Sequence, residues 1–185
     1  MRRAVFLDRD GVINQVIIRN GEPRSPRTRE EFVLNEEAAD AVQLLKSGGF
    51  LTIVVTNQPD IARGKLRRED LDWMLDQVRQ RCQVDDILVC PHDDGDACSC
   101  RKPLPGMILN GAQKWGIDPG KSFMIGDTWK DRDAARAAGC RFILIDAPYN
   151  QKVECDLRVA GLKEAVEHVL DNMGEEAAFL FLGSH

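Results

Sequence analysis

The sequence predicts an α/β fold in which helices cover both faces of a doubly wound, mainly parallel, Rossmann-like sheet. The first observation is a set of five short apolar runs rich in β-branched residues, which are typical of buried parallel strands. These runs are residues 4–7, 51–55, 87–89, 122–125 and 142–145. The second observation is that helix-like stretches alternate with the runs, at residues 36–47, 68–81, 106–115, 131–138 and 162–171. Such alternation favours parallel strands joined by crossover helices.

Each element follows from its local pattern. The first strand is the apolar run Ala-Val-Phe-Leu at residues 4–7. The first helix places apolar residues at helical spacing before two glycines end it. These residues are Ala38, Ala41, Val42, Leu44 and Leu45, and the glycines are Gly48 and Gly49. The second to fifth strands correspond to the remaining apolar runs, and the other helices to the stretches that alternate with them.

The length and composition indicate one globular domain with a substantial core. The chain has 185 residues, of which 43% are hydrophobic and 30% charged. We expect a single domain at residues 1–173 and a tail at residues 174–185, in which an apolar patch at 177–182 docks on the body or on a partner. Residues 14–31 form a polar stretch that is too long for a simple turn, and loops of this length are usually functional.

The charge and the cysteines limit the class of protein. A net charge of −5 provides no global cationic field for nucleic acid or for an anionic membrane. No apolar run approaches the roughly 18 to 20 residues that span a bilayer. We therefore expect a cytoplasmic protein with a small-molecule partner, as a monomer or weak homodimer. The six cysteines favour metal ligation over disulfides, because four ligand-like positions are crowded together.

Two aspartates directly follow the first predicted strand. Asp8 and Asp10 precede Gly11, at the sheet edge where ligands of open α/β sheets gather. Two neighbouring carboxylates repel each other, so the arrangement indicates a divalent cation, a shared proton or a covalent role. The alternative is an ordinary Asp-x-Asp-Gly turn.

Polar residues also follow the second and third strands. Thr56 and Asn57 could donate hydrogen bonds to an anionic oxygen, or could form a polar strand exit. Arg101 and Lys102 could neutralise phosphate oxygens, or could belong to a solvated basic loop.

The fourth strand ends in a glycine and an acid. Asp127 could bring a carboxylate to a Mg²⁺ ion near Asp8. Asp131 could support the same metal, although capping of the following helix is the stronger alternative for this residue.

A cluster of soft ligands precedes Lys102. Cys90, His92, Cys98 and Cys100 have the spacing C-x-H-x5-C-x-C, which fits a closed tetrahedral Zn²⁺ site of the structural type. Because the loop runs directly into the lysine, zinc would fix the direction of that side chain.

In this order, the motifs resemble those of the haloacid dehalogenase superfamily of phosphohydrolases across most of residues 4–145. The resemblance implies a sheet order of 3-2-1-4-5 and an aspartyl-phosphate mechanism. It implies Asp8 as the nucleophile and Asp10 as the general acid/base, while Thr56 and Lys102 bind the transferring phosphoryl group. Asp127, the Asp8 carboxylate and the Asp10 backbone carbonyl would bind Mg²⁺.

The zinc loop followed by Arg-Lys-Pro-x-Pro-Gly-Met narrows the resemblance. With the segments Leu-Asp-Arg-Asp-Gly-Val-Ile-Asn and Thr-Asn-Gln, it resembles the branch containing the D-glycero-D-manno-heptose-1,7-bisphosphate 7-phosphatases and the histidinol-phosphate phosphatases. The branch implies an enzyme without a separate cap domain, in which loops 15–31, 58–66 and 92–103 select the substrate. Residues 98–107 are more similar to the heptose enzymes, and this similarity implies that Arg101 contacts substrate.

The loops at residues 15–31 and 58–66 depart from the heptose pattern, so several functions stay open. The leading hypothesis is a Mg²⁺-dependent phosphatase for a small sugar phosphate, with heptose bisphosphate as the first candidate. The alternatives are a histidinol-phosphate phosphatase, a polynucleotide 3′-phosphatase and a non-catalytic zinc-stabilised interaction module. Arg19, Arg24 and Arg27 could hold a second phosphate or a carboxylate, or could simply be solvated.

Overall fold

The computed structural model describes the backbone of residues 1–182 and the side chains of residues 1–172. Within this part, the chain forms eight strands. They are β1 (Ala4–Leu7), β2 (Ile17–Arg19), β3 (Glu22–Arg24), β4 (Leu51–Asn57), β5 (Asp86–Cys90), β6 (Phe123–Gly126), β7 (Arg141–Ile145) and β8 (Arg158–Val159). The helices are α1 (Ala38–Ser47), α2 (Arg68–Cys82), α3 (Gly106–Trp115), α4 (Trp129–Ala138) and α5 (Leu162–Leu182).

Six of the strands form one parallel sheet in the order β5-β4-β1-β6-β7-β8. The prediction of a parallel sheet with the order 3-2-1-4-5 is therefore confirmed for its five predicted strands. The sixth, β8, was not predicted, because two residues are too few to show a strand period.

Helices pack on both faces of this sheet. Side chains alternate along β1, so Val5 and Leu7 join a core that includes apolar residues of α1, α2 and α5. Ala4 and Phe6 face the opposite way and join a second core with residues of α3 and α4. All four side chains are fully buried. Burial on both faces explains why the strand reads as a continuous apolar run.

The polar stretch after β1 contains an antiparallel hairpin rather than an unstructured loop. Strands β2 and β3 pair through a turn at Asn20 and Gly21, both of which have positive φ angles. Asn-Gly is a strong signal for such a turn, but the flanking strands, Ile-Ile-Arg and Glu-Pro-Arg, show no alternation of apolar and polar residues. In the part of the chain that the structure describes, this short hairpin lies between β1 and α1.

The last helix extends past the predicted end of the domain. α5 continues through Gly174 to Leu182, eleven residues beyond the predicted helix end at Asp171. The side chains of the predicted apolar patch at 177–182, and residues 183–185, lie outside the described part of the chain. Among the helices that the structure does describe, none has the length and apolar character required to cross a membrane.

Candidate active site

The carboxyl ends of β1, β4 and β6 meet at one edge of the sheet and open into a cleft of about 350 Å³. Asp8, Thr56 and Asp127 each occupy the carboxyl end of one of these strands or the next position. Six of the predicted site residues line the cleft: Asp8, Asp10, Asn57, Arg101, Lys102 and Asp127. Thr56 lies fully buried beside Gln58, whose Nε2 donates a hydrogen bond to the Thr56 hydroxyl oxygen at 2.9 Å.

Asp8 is a nearly buried carboxyl group, with 8% of its surface exposed. Its Oδ1 accepts hydrogen bonds from the Arg9 backbone N–H and from Lys102 Nζ, both at 2.8 Å. Burial and the nearby charge of Asp131 raise the pKa of Asp8 to about 7. The group is therefore costly to ionise in the metal-free protein, and a cation would favour its charged form.

Lys102 lies at the centre of the buried charges. Besides Asp8, its Nζ donates to Asp131 Oδ1 at 2.6 Å and to the Val55 carbonyl at 2.9 Å. Burial alone would lower the pKa of Lys102, but the carboxylates of Asp131 and Asp8 raise it above its ordinary value. The ammonium group is therefore fixed in its charged form, directed at the Asp8 carboxylate.

Asn57 holds the main chain of this lysine. Its Nδ2 donates to the Lys102 carbonyl at 2.9 Å, and its Oδ1 accepts from the Lys102 N–H at 3.0 Å. Because both polar atoms of the amide contact the backbone of Lys102, Asn57 positions the lysine across 45 residues of sequence.

Asp127 provides a buried carboxylate oxygen without a partner. Its Oδ2 accepts a hydrogen bond from Tyr149 at 2.5 Å, whereas its Oδ1 is buried and has no hydrogen-bond partner among the described residues. Burial and the charges of Asp8 and Asp131 raise its pKa well above the ordinary value. Gly11 has φ +87°, and a Cβ atom there would lie 2.0 Å from Asp127 Oδ2, so the close approach requires glycine.

The carboxylates of Asp8, Asp127 and Asp131 offer oxygen atoms within 4.8 Å of one another. Carboxylate oxygens are the ligands that Mg²⁺ prefers, and an orphaned buried oxygen needs a partner. The residues present therefore fit a hard divalent cation.

Asp131 joins the helix α4 to the cleft. Its Oδ2 accepts hydrogen bonds from the Thr128 N–H and hydroxyl at 3.0 and 2.6 Å, which completes a capping box. Its Oδ1 contacts Lys102. A Cβ atom at Gly126 would lie 2.4 Å from Asp131 Cβ, so this glycine permits the approach of α4 to the end of β6.

The Asp10 side chain lies apart from the three clustered carboxylates and is surrounded by donors. Arg9 and Asn14 donate to its Oδ1 at 2.8 and 2.9 Å, and Ser25 and Gln58 donate to its Oδ2, both at 2.8 Å. Burial acts to raise the pKa of Asp10, but the Arg9 guanidinium and these hydrogen bonds lower it below the ordinary value. Its geometry is thus set by four fixed donors.

The predicted soft ligands converge beside the cleft. Cys90 Sγ lies 3.6 Å from Cys98 Sγ and 3.1 Å from Cys100 Sγ. His92 Nδ1 lies 3.5 and 3.3 Å from the sulfurs of Cys90 and Cys100. Ligands at the usual Zn–S distance of about 2.3 Å stand roughly 3.7 Å apart around a tetrahedral ion. The cluster therefore fits a metal ion such as zinc with modest expansion.

Ion pairs occupy most of the arginines around the cleft. Arg101 Nε donates to Asp94 Oδ1 at 2.7 Å, which leaves its side chain in the cleft wall. Arg19 pairs with Glu31, and Arg27 Nε pairs with Asp60 Oδ2 at 2.6 Å, so these two arginines have carboxylate partners within the protein. Arg24 pairs with Glu22 and also lines the cleft.

Several residues that contact the site were not assigned in the sequence analysis, among them Gln58, Tyr149 and Ser25. Gln58 immediately follows the Thr56-Asn57 motif, so its position was a usable signal. Tyr149 is the only tyrosine of the chain, but it follows β7 in a loop without a motif. Ser25 reaches Asp10 from the hairpin segment, and no spacing rule connects the two.

Comparisons with known proteins identify the family of the chain. A family model described as haloacid dehalogenase-like hydrolase matches residues 16–139. A D-glycero-β-D-manno-heptose-1,7-bisphosphate 7-phosphatase of Rhodopseudomonas palustris is 40% identical over 150 residues, covering 75% of this chain and 80% of the relative. The protein of the same name from Pasteurella multocida is 37% identical over 151 residues, covering 75% and 78%.

A solved structure has a similar fold over nearly the whole chain. It is the D,D-heptose 1,7-bisphosphate phosphatase of Bordetella bronchiseptica, determined in complex with magnesium and phosphate. The two structures match with a TM-score of 0.80 and 28% sequence identity, covering 93% of this chain and 99% of that one.

Proposed function

Because the chain belongs to the haloacid dehalogenase-like hydrolases and is a phosphatase, we propose that it removes the 7-phosphate of D-glycero-β-D-manno-heptose 1,7-bisphosphate. The observation that carries the chemistry is the contact between Lys102 Nζ and Asp8 Oδ1 at 2.8 Å, in a cleft that also presents Asp127. A buried carboxylate beside a fixed ammonium group and a cation site is suited to attack on a phosphate anion.

Mg²⁺ is the proposed cofactor. Asp8 and Asp127 would hold it with the Asp10 backbone carbonyl, and Asp131 Oδ1 lies in the same carboxylate cluster. When bound, it supplies positive charge that offsets the repulsion between the substrate phosphate and the attacking carboxylate.

In the first step, an Asp8 carboxylate oxygen attacks phosphorus and the bond from phosphorus to the sugar oxygen breaks. The pKa of Asp10 is lowered in the unliganded protein, so Asp10 must take up a proton when the anionic phosphate binds. It then gives this proton to the leaving oxygen, so the sugar departs as a neutral alcohol. Lys102 and the Thr56 hydroxyl bind the transferring phosphoryl group. The Thr56 oxygen accepts from Gln58, so its own hydrogen is available for donation.

In the second step, water attacks the phosphorus of the aspartyl phosphate. Asp10, now a carboxylate, takes a proton from that water, and the bond between Asp8 and phosphorus breaks. Inorganic phosphate leaves and both carboxyl groups return to their starting states. Two carboxyl groups are needed because one cannot be nucleophile and proton carrier at once. Asn57 contributes to phosphate binding through the Lys102 backbone that it holds.

The composition of the cleft supports a substrate with a second anionic group. Besides Lys102, four cationic side chains line the same cleft as Asp8: Arg24, Arg63, Arg101 and Lys130. A bisphosphate would place its second phosphate among them while the first faces the nucleophile. The names of the relatives at 37–40% identity support the heptose as the sugar.

The Cys/His cluster is proposed as a structural Zn²⁺ site. Its four ligands fill a tetrahedral shell, so no position is open for substrate. Cys100 lies two residues before Lys102, and the metal would thus fix the loop that carries the lysine.

The decisive experiment measures phosphate release from a panel that contains the heptose bisphosphate, histidinol phosphate and a 3′-phosphorylated oligonucleotide. We expect the heptose bisphosphate to have the highest kcat/KM and Asp8→Asn to abolish its hydrolysis. Asp40→Asn, an exposed carboxylate on α1, is the matched control and should retain full activity. Undiminished turnover by Asp8→Asn would contradict the mechanism. A higher kcat/KM for another member of the panel would identify that compound as the substrate in place of the heptose bisphosphate.

A further inference from the structure

The segment that follows the β2–β3 hairpin reaches into the proton-transfer machinery. Ser25 lies one residue beyond β3, and its hydroxyl donates a hydrogen bond to Asp10 Oδ2 at 2.8 Å. Fifteen residues separate the two in sequence. Ser25 also lines the same cleft as Asp8.

Two ion pairs and one backbone contact hold this segment in place. Arg19 donates to the Ser25 carbonyl at 3.2 Å and pairs with Glu31. Two residues after Ser25, Arg27 pairs with Asp60 at 2.6 Å, which ties the segment to the loop after β4. Asp60 is 7% exposed, so this ion pair is only partly screened by water. The position of Ser25 is thus fixed from both sides.

The hydroxyl differs in chemistry from the other donors to Asp10. The Arg9 guanidinium and the side-chain amide NH₂ groups of Asn14 and Gln58 can only donate. A hydroxyl both donates and accepts, so it can keep its contact with Asp10 whether or not the carboxyl group carries a proton. Among these four partners of Asp10, only Ser25 belongs to the segment that follows the β2–β3 hairpin.

We propose that Ser25 is a positioning residue that holds Asp10 in line with the leaving oxygen, and that the segment framed by Arg19 and Arg27 carries it there. The proposal rests on the proposed function, because it assigns Asp10 the role of acid/base. It adds that the loop facing the substrate also sets the geometry of proton transfer.

The test compares two probes that differ in their need for a proton. Phenolate is a poor leaving group that benefits from protonation, whereas p-nitrophenolate leaves readily without it. With enzyme in excess over substrate, we expect Ser25→Ala to slow release of phenol from phenyl phosphate about tenfold. Release of p-nitrophenolate should change less than about twofold, because general acid catalysis contributes little to that step.

Two further variants and one steady-state measurement complete the design. Ser25→Thr keeps the hydroxyl and should restore phenol release to within about threefold of the wild-type rate. Ser47→Ala, an exposed serine at the end of α1, should leave both rates unchanged. Steady-state KM for phenyl phosphate should be unchanged in Ser25→Ala, so the loss falls on kcat.

Equal slowing of both probes in Ser25→Ala, no slowing of either, or no rescue by threonine would each overturn the role of Ser25. Asp8→Asn separates this failure from that of the proposed function. Release of p-nitrophenolate that survives in Asp8→Asn would overturn the aspartyl-phosphate mechanism and the role of Ser25 with it. Release that is sensitive to Asp8→Asn, with equal slowing in Ser25→Ala, would overturn the role of Ser25 alone.

Discussion

Replacing the proposed nucleophile should stabilise the protein while abolishing its activity. In the absence of magnesium, Asp8 is a buried carboxyl group whose pKa is raised from 3.8 to about 7, first by burial and then by the charge of Asp131. The folded protein therefore holds a proton that the unfolded chain releases between about pH 4 and pH 7. The free energy of unfolding therefore falls as pH rises from about 4 to about 7, and it falls no further above pH 7.

The size of the effect follows from the shift. Each pKa unit corresponds to about 1.4 kcal/mol, so a shift of about three units lowers the free energy of unfolding by roughly 4 kcal/mol above pH 7. Asp8→Asn removes this cost. The asparagine carbonyl still accepts from Lys102, and the stronger attraction of the charged carboxylate to this ammonium group is already included in the pKa of about 7. The expected gain is therefore roughly 4 kcal/mol at pH 8 and none near pH 4.

Urea unfolding measures this difference. The fluorescence of the three tryptophans can follow unfolding of the wild type, Asp8→Asn and the control Asp40→Asn in magnesium-free buffer between pH 4.5 and pH 8. Mg²⁺ at a hundredfold excess over its Kd should add about 2.7 kcal/mol to the wild type and much less to Asp8→Asn. Lower stability of Asp8→Asn than of the wild type at pH 8, or a gain that does not depend on pH, would refute this account of Asp8.

The other predictions concern the groups around this carboxylate. Cys100→Ser should lower the zinc content, measured by elemental analysis, from roughly one equivalent per chain to a small fraction of it, because the tetrahedral shell loses a thiolate. Asn57→Ala removes both hydrogen bonds to the Lys102 backbone, and we expect kcat for phosphate release to fall about 10- to 100-fold with a smaller change in KM. Tyr149→Phe removes the hydroxyl that orients Asp127, and isothermal titration should show Mg²⁺ affinity reduced about tenfold.

Each of these outcomes has a control and a contradicting result. Cys155→Ser changes a cysteine outside the cluster and should keep the metal, so equal loss in both variants would argue against a specific site. An unchanged kcat in Asn57→Ala would show that the backbone of Lys102 is held without the amide. Wild-type Mg²⁺ affinity in Tyr149→Phe would mean that the hydroxyl does not orient the Asp127 carboxylate.

The sequence was informative wherever function depends on the order of strands. Parallel strands end at one edge of the sheet, so the residues after each apolar run were bound to meet there. This reasoning predicted that Asp8, Thr56 and Asp127 lie close together, and it needed no knowledge of the chain between them. The cysteine cluster was equally readable, because its ligands lie within eleven residues of one another.

The sequence was much less informative about contacts between loops. The pairs Arg19–Glu31 and Arg27–Asp60 depend on the reach of flexible side chains between separate parts of the chain, which no local pattern encodes. The same arginines were equally consistent with a solvated loop or a second phosphate site. The neighbouring hairpin had a local signal at Asn20 and Gly21, but its strands are only three residues long and do not alternate between apolar and polar residues.

Asp131 shows why two readings of one residue need not compete. From the sequence, helix capping and metal support were alternatives for its carboxyl group. In the structure, one oxygen completes the capping box with Thr128 and the other contacts Lys102. The cap therefore fixes the rotamer that the lysine needs, and the lysine neutralises the charge that the cap has buried. A single carboxylate thus couples the start of α4 to the charge balance around Asp8, so helix stability and catalysis constrain this position together.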